Sequence, residues 1–263
     1  MSNRRRGIYL LPNLFTTGAL FAGFYSIIAS INHQFESAAI AIFVAMILDG
    51  MDGRIARLTN TQSDFGVQYD SLSDMVSFGI APSLVMYQWA LSDMGKLGWL
   101  AAFIYTASAA LRLSRFNTQA ESQDKRFFQG LPSPSAAAVL AGMIWCGEVY
   151  ALIGETASLV FCLPVTIVAG LLMVSNIRYH SFKELDLKGR VPFVAVFIVV
   201  LIFVLIAMKP PLVLFVLAAI YGISGPVLTL LTIRKHREAR KPQEQSNTEQ
   251  QNTEKPKTEK QDT

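Results

Sequence analysis

Residues 49–74 read DGMDGRIARLTNTQSDFGVQYDSLSD, between the apolar runs AIAIFVAMIL (39–48) and MVSFGIAPSLVMYQWAL (75–91). Asp49 and Asp52 stand three apart, and Asp70 and Asp74 stand four apart. Helical side chains at those spacings share a face, so the stretch predicts two helices that each present a carboxylate pair. Four acids flanked by membrane-grade sequence are costly to desolvate unless something positive lies among them. Water, lysine or arginine can fill that need, but an oxygen-only ligand set suits a divalent cation best. Two such ions would clamp a phosphoryl group and neutralise its charge. Helix caps and solvated loop acids are the ordinary alternative, and Asp64 is read that way.

The flanks extend along most of the chain. Of 263 residues, 52% are hydrophobic and 16% charged, and mean hydropathy is +0.37. Soluble domains carry about 25% charge. Apolar runs of near-spanning length recur at roughly 11–32, 36–57, 70–92, 97–117, 132–152, 156–176, 191–208 and 211–233. They are continuous rather than alternating, which predicts helices and argues against a barrel. The expected fold is therefore all-α: a polytopic membrane bundle of about eight transmembrane helices. Residues 1–237 are expected to form one integral-membrane domain. Residues 238–263, rich in Glu, Gln, Lys and Thr, are expected to be a disordered polar tail. The N-terminal run resembles a signal peptide but is too long for an h-region, so it is read as a retained first helix.

Basic residues set the expected topology. Arg4, Arg5, Arg6, Arg54, Arg57, Arg112, Arg115, Lys125, Arg126, Arg178, Lys183, Lys188, Arg190 and the cluster from Arg234 to Lys241 fall on one side, against Lys96 and Lys209 on the other. That asymmetry places both termini and all four aspartates at the cytoplasmic face. The same reading makes the net charge of +4 a topology signal, and no nucleic-acid partner is expected. The polar stretches LRLSRFN (111–117), FFQGLPSP (127–134) and SNIRYHSFKELDLKGR (175–190) converge on that face. Such a layout suits an enzyme that joins a water-soluble substrate to a lipid.

Within these stretches, further residues are candidates for contact with a ligand. Gly53 and Gly66 leave room for a diphosphate or for a neighbouring helix. Arg57 offers a planar fork to phosphate oxygens. Asn13 and Thr16, in PNLFTTGALFAGF (12–24), can reach a nucleotide or simply cap a helix after Pro12. Arg112 and Arg115 share a face, with Asn117 beyond them, and can hold a carboxylate or phosphate. Each of these cations, Lys183 included, also serves as a topology charge. Cys146 and Cys162 read as inert buried thiols, and the three histidines are scattered. The competing use of four intramembrane acids is the ion path of a divalent-cation or proton-coupled transporter. That path needs acids near the bilayer midplane, whereas these stand at cytoplasmic helix ends beside Arg54 and Arg57.

The opening stretch fits D-x2-D-G-x2-A-R-x8-G-x3-D-x3-D without a gap and so resembles the CDP-alcohol phosphotransferase family. PNLFTT, LRLSRFN, FQGLPSP and IRYHSFK are similar to its integral-membrane, serine-using (phosphatidylserine synthase) branch. The resemblance implies two divalent cations, Mg²⁺ or Mn²⁺, held by Asp49, Asp52, Asp70 and Asp74, with Asp74 also the catalytic base. It implies CDP-diacylglycerol at Asn13, Thr16, Gly53, Arg57 and Gly66. L-serine is assigned more loosely to Arg112, Arg115, Asn117 and Lys183. Phosphatidyl transfer with release of CMP, at the inner face of a bacterial or archaeal cytoplasmic membrane and from a homodimer, is the implied activity. Glycerol 3-phosphate, inositol or choline is the alternative acceptor.

Overall fold

The computed structural model describes residues 3–59, 61, 63–119, 127–150, 158–180 and 193–253. Helix α1 (Asn3–Ile31) and α2 (Phe35–Thr59) form an antiparallel hairpin and pack against each other more extensively than any other pair. Small residues explain that closeness: Ala19, Ala22, Ala29, Ala38, Ala39 and Ala45 are all buried. The Ser26 hydroxyl donates to the Ala38 carbonyl at 2.8 Å, tying the hairpin near its turn. His33 takes a positive φ of 58° in that turn.

Helix α3 (Asp64–Asp74) starts at Ser63, whose hydroxyl accepts from the Gly66 N–H at 3.1 Å. It runs on through a π-helical turn (Met75–Ile80), α4 (Ala81–Met86), a second π-helical turn (Tyr87–Leu91) and a 3-10 turn (Ser92–Met94). Helix α5 (Lys96–Gln119) returns beside it. Next come α6 (Ser133–Tyr150), a π-helical turn (Ser158–Cys162) continuing as α7 (Leu163–Val174), α8 (Phe193–Met208) and α9 (Pro210–Thr253).

Each of the eight expected spans thus has a helical counterpart. Among the described residues, three helical segments, Leu11–Ile31, Lys96–Thr118 and Pro210–Leu231, are by length and composition able to cross a membrane. Val160–Val174 and Val196–Met208 are apolar but shorter. Helix α8 packs chiefly on α9 and leaves Phe197, Phe203 and Met208 more than half exposed, a surface suited to lipid. This is a membrane protein built on helices.

The structure departs from the sequence reading in one place. A two-stranded antiparallel ribbon joins Phe127–Gln129 (β1) to Arg178–His180 (β2), pairing Phe128 with Tyr179. It interrupts the all-α pattern because two loops lie side by side and satisfy each other's backbone groups. Gly130, at φ 76°, carries the chain from β1 into α6 while its N–H donates to the Ile177 carbonyl at 2.8 Å. Beyond 238, where a disordered tail is expected, the helical backbone of α9 runs on to Thr253, and residues 254–263 lie outside the described residues. Glu, Gln, Lys and Arg are good helix formers, so polarity removes the drive to form a core but not the local helical preference.

Candidate active site

Helix α2 carries Asp49, Asp52, Gly53 and Arg57 on its last turns; α3 carries Gly66, Asp70 and Asp74 along its length. The two helices meet so that Asp49, Asp70 and Asp74 each place a carboxylate oxygen within 4.8 Å of the others. Asp49 is within hydrogen-bond reach of Asp74, and Asp52 of Asp70. Asp52 is buried and accepts from the Thr16 hydroxyl at 2.6 Å. One oxygen of Asp70, Oδ1, is buried with no hydrogen-bond partner.

Carboxylates that face one another in this way repel unless a cation or protons lie between them. An orphaned buried carboxylate oxygen costs several kcal/mol on the same grounds. The donor set consists of carboxylate oxygens drawn from two helices, the chemistry that hard divalent cations take. An acidic cluster able to hold a metal is therefore present.

A cavity of about 380 Å³ opens beside it. Its walls include Asn13, Thr16, Asp52, Gly53, Arg57, Gly66 and Asp70, so every residue expected to face the nucleotide lines one space. Gly53 is informative here. A Cβ added to it meets nothing within 4 Å, so its small size serves no helix packing and leaves room for something outside the protein. Gly66 is tight by contrast: a Cβ there would lie 3.2 Å from the Ser63 hydroxyl and 3.7 Å from the Asn13 side-chain oxygen. The exposed Arg57 steadies its Nε on the Gly53 carbonyl at 2.9 Å, with its remaining donors outside that bond. Ala56, Thr61 and Ser63 also line the cavity. Ala56 is a fixed position of the sequence motif, and Ser63 carries a capping signal just ahead of Gly66, so both were open to discovery.

Of the four residues expected at the acceptor, the structure describes Arg112, Arg115 and Asn117 and gives each a different set of partners. Arg112, 8% exposed, stands within electrostatic reach of Asp74; its Nη1 donates to the Ser133 hydroxyl at 2.9 Å and its buried Nε has no partner. Arg115 turns away to the end of α7. Its Nη1 donates to the Val174 carbonyl at 3.0 Å and its Nη2 to the Gln129 and Ser175 carbonyls at 3.2 and 3.3 Å. Asn117 pairs with the Ser71 hydroxyl at 3.0 Å. Lys183 lies outside the described residues. Ser133, which as part of GLPSP reads as a shaping residue, emerges as the hydrogen-bond partner of Arg112.

A helical scaffold with membrane-capable helices, a carboxylate cluster able to hold a metal and an adjoining cavity fits the class of membrane phosphotransferases. The sequence profile of CDP-alcohol phosphatidyltransferases matches residues 9–168, more than half of the chain, and the protein belongs to that family. The chain is 37% identical over 229 residues to a Helicobacter pylori protein named CDP-diacylglycerol–serine O-phosphatidyltransferase, covering 87% of this chain and 94% of that one. Proteins of the same name from Mycobacterium leprae and Bacillus subtilis are 30% and 34% identical. Those matches cover 84% and 66% of this chain, and 74% and 92% of theirs.

Proposed function

We propose that the protein transfers the phosphatidyl group of CDP-diacylglycerol to the hydroxyl of L-serine, giving phosphatidylserine and CMP. The observation that carries this reading is the pairing of three converging carboxylates, and Asp52 within hydrogen-bond reach of one of them, with a cavity walled by the family motif. The names of the relatives support serine as the acceptor.

In this reading Asp49, Asp52, Asp70 and Asp74 hold two divalent cations, Mg²⁺ or Mn²⁺. Bound there, such ions would neutralise the diphosphate and stabilise the departing phosphate oxygen. Gly53 and Gly66 let the diphosphate approach the backbone, and Arg57 binds its oxygens. Asn13 and Thr16 line the nucleotide end. Asp74 accepts the proton of the serine hydroxyl as its oxygen bonds to the lipid-side phosphorus and the bond to CMP breaks. Arg112 holds the serine carboxylate, because it keeps a buried donor unspent within electrostatic reach of Asp74.

The chain crosses a bacterial or archaeal cytoplasmic membrane eight times with both termini inside. That arrangement puts the acids where lipid tails stay in the bilayer and head groups meet cytosol. Residues 1–237 form the membrane domain, and two copies pair as a homodimer.

The test is incorporation of labelled serine into lipid by purified protein. Incorporation should require CDP-diacylglycerol and Mg²⁺ or Mn²⁺, release CMP in equal amount and stop with EDTA. Preferred incorporation of glycerol 3-phosphate, inositol or choline overturns the serine assignment; no CMP release under any metal condition overturns the reaction.

A further inference from the structure

The two carboxylate pairs sit on different helices, so something must hold those helices in register. Helix α1 bonds to both: Thr17 pairs with the Tyr69 hydroxyl of α3 at 2.8 Å, and Thr16 alone bridges α2 and α3 among the described residues. The Thr16 hydroxyl donates to Asp52 on α2 at 2.6 Å, and the Thr16 backbone carbonyl accepts from the Ser73 hydroxyl on α3 at 3.1 Å. Ser73 lies between Asp70 and Asp74 and is 2% exposed. One turn further, the Ser77 hydroxyl donates to the Ala19 carbonyl at 3.0 Å. Gly23 permits the contact beyond it, since a Cβ there would lie 2.5 Å from the Ser77 hydroxyl.

Position 73 matters because of helical geometry. Successive helical residues are about 100° apart, so pinning Ser73 to α1 fixes the angle at which Asp70 and Asp74 face Asp49 and Asp52. The α-helical hydrogen-bond pattern gives way to a π-helical turn at Met75, immediately after Asp74. A π turn changes the rotational phase of the residues beyond it, so the downstream helix is a poor guarantor of that angle. A tie within the acidic turn itself is the direct way to set it.

We propose that Ser73 is a positioning residue, which through Thr16 locks the two carboxylate pairs into one metal site. This rests on the reading that the acidic cluster binds divalent cations. Ser77 provides a matched control: the same kind of buried hydroxyl-to-carbonyl bond ties the same chain segment to α1, but outside the acidic turn.

The experiment measures equilibrium Mn²⁺ binding to full-length purified protein by electron paramagnetic resonance of free Mn²⁺, with melting temperature alongside. Ser73→Ala should weaken Mn²⁺ binding about tenfold, the scale at which partners of metal ligands act. Ser77→Ala should leave Mn²⁺ affinity unchanged while lowering the melting temperature comparably. Ser73→Cys, similar in volume but a weak donor, should weaken binding in the same direction and serves if the alanine variant folds poorly. Unchanged affinity in the folded Ser73 variants, or an equal loss in Ser77→Ala, overturns the positioning role alone. Absence of Mn²⁺ binding in the unmodified protein overturns the metal reading beneath it.

Discussion

Arg112 and Arg115 stand one turn apart on α5 and are used differently. Among the described residues Arg115 meets the carbonyls of Gln129, Met173, Val174 and Ser175 and the side chain of Asn176. It closes the C-terminal end of α7, whose last carbonyls have no partner within the helix. Arg112 meets Ser133 and keeps its buried Nε unpartnered. The same contrast extends to the regions around them. At the ribbon end the buried polar side chains among the described residues are all partnered: Tyr179 is fully buried and donates to the Gly222 carbonyl of α9 at 2.9 Å. The acidic end is left open, with Asp70 Oδ1 unpartnered and Gly53 facing space. Saturated polar groups hold a fold together, whereas buried polar groups with valences to spare are where a ligand completes the structure.

The contrast is broken most directly at the open end. Asp70→Asn should lower turnover by about 10²–10³-fold, the scale for losing one preorganised charge-stabilising group. Its size-exclusion profile should match that of the unmodified protein, because Asp70 Oδ1 holds no internal partner. Wild-type turnover would remove Asp70 from the site. Arg112→Lys keeps the charge and loses the fork. It should raise KM for serine about tenfold, with KM for CDP-diacylglycerol unchanged, in steady-state assays varying one substrate at a time. An equal rise in both would mean that Arg112 shapes the site as a whole.

Gly53→Ala sharpens the comparison because its effects should have opposite signs. The side chain would enter the cavity, so KM for CDP-diacylglycerol should rise several-fold. The helix should gain up to about 1 kcal/mol, because alanine is the better helix former. Arg115→Ala should do the reverse. Stranding the carbonyls at the end of α7 costs about 1–3 kcal/mol, read as a fall in melting temperature in detergent. KM for serine should stay within about twofold. A selective rise in that KM would place Arg115 in the acceptor pocket after all.

The legibility of each half in the sequence depends on where its residues come from. The acidic half is drawn from residues 49–74 and the start of α1, and helical spacing alone turns its carboxylates to shared faces. The ribbon half is assembled from α5, the loop before α6, the end of α7 and α9, which no local period relates. Arg112 and Arg115 have equivalent sequence surroundings, so only the tertiary partners, Ser133 for one and the α7 carbonyls for the other, tell them apart. The ribbon was hidden for the same reason: its strands are three residues each, and 48 residues of chain separate Gln129 from its partner Arg178. The π-helical turn after Asp74 leaves no mark in the apolar pattern of MVSFGI.

The smallest effect is expected at the end of α9. Contacts that anchor this helix, its packing on α6 at Gly142 and Phe215 and the bond from Tyr179 to the Gly222 carbonyl, lie well before residue 238. From 238 onward the sequence, EARKPQEQSNTEQQNTEKPKTEKQDT, has one alanine as its sole hydrophobic residue. A helix with no apolar face is held by local propensity alone, which is marginal in water. Removing residues 242–263 should therefore leave insertion, melting temperature and serine incorporation within about twofold of the full chain, since exposed polar segments away from packed contacts contribute little. A truncated protein that inserts and melts normally yet fails to transfer would show that the end of α9 reaches the open half of the site. The division between a saturated end and an open one would then have to be redrawn to include it.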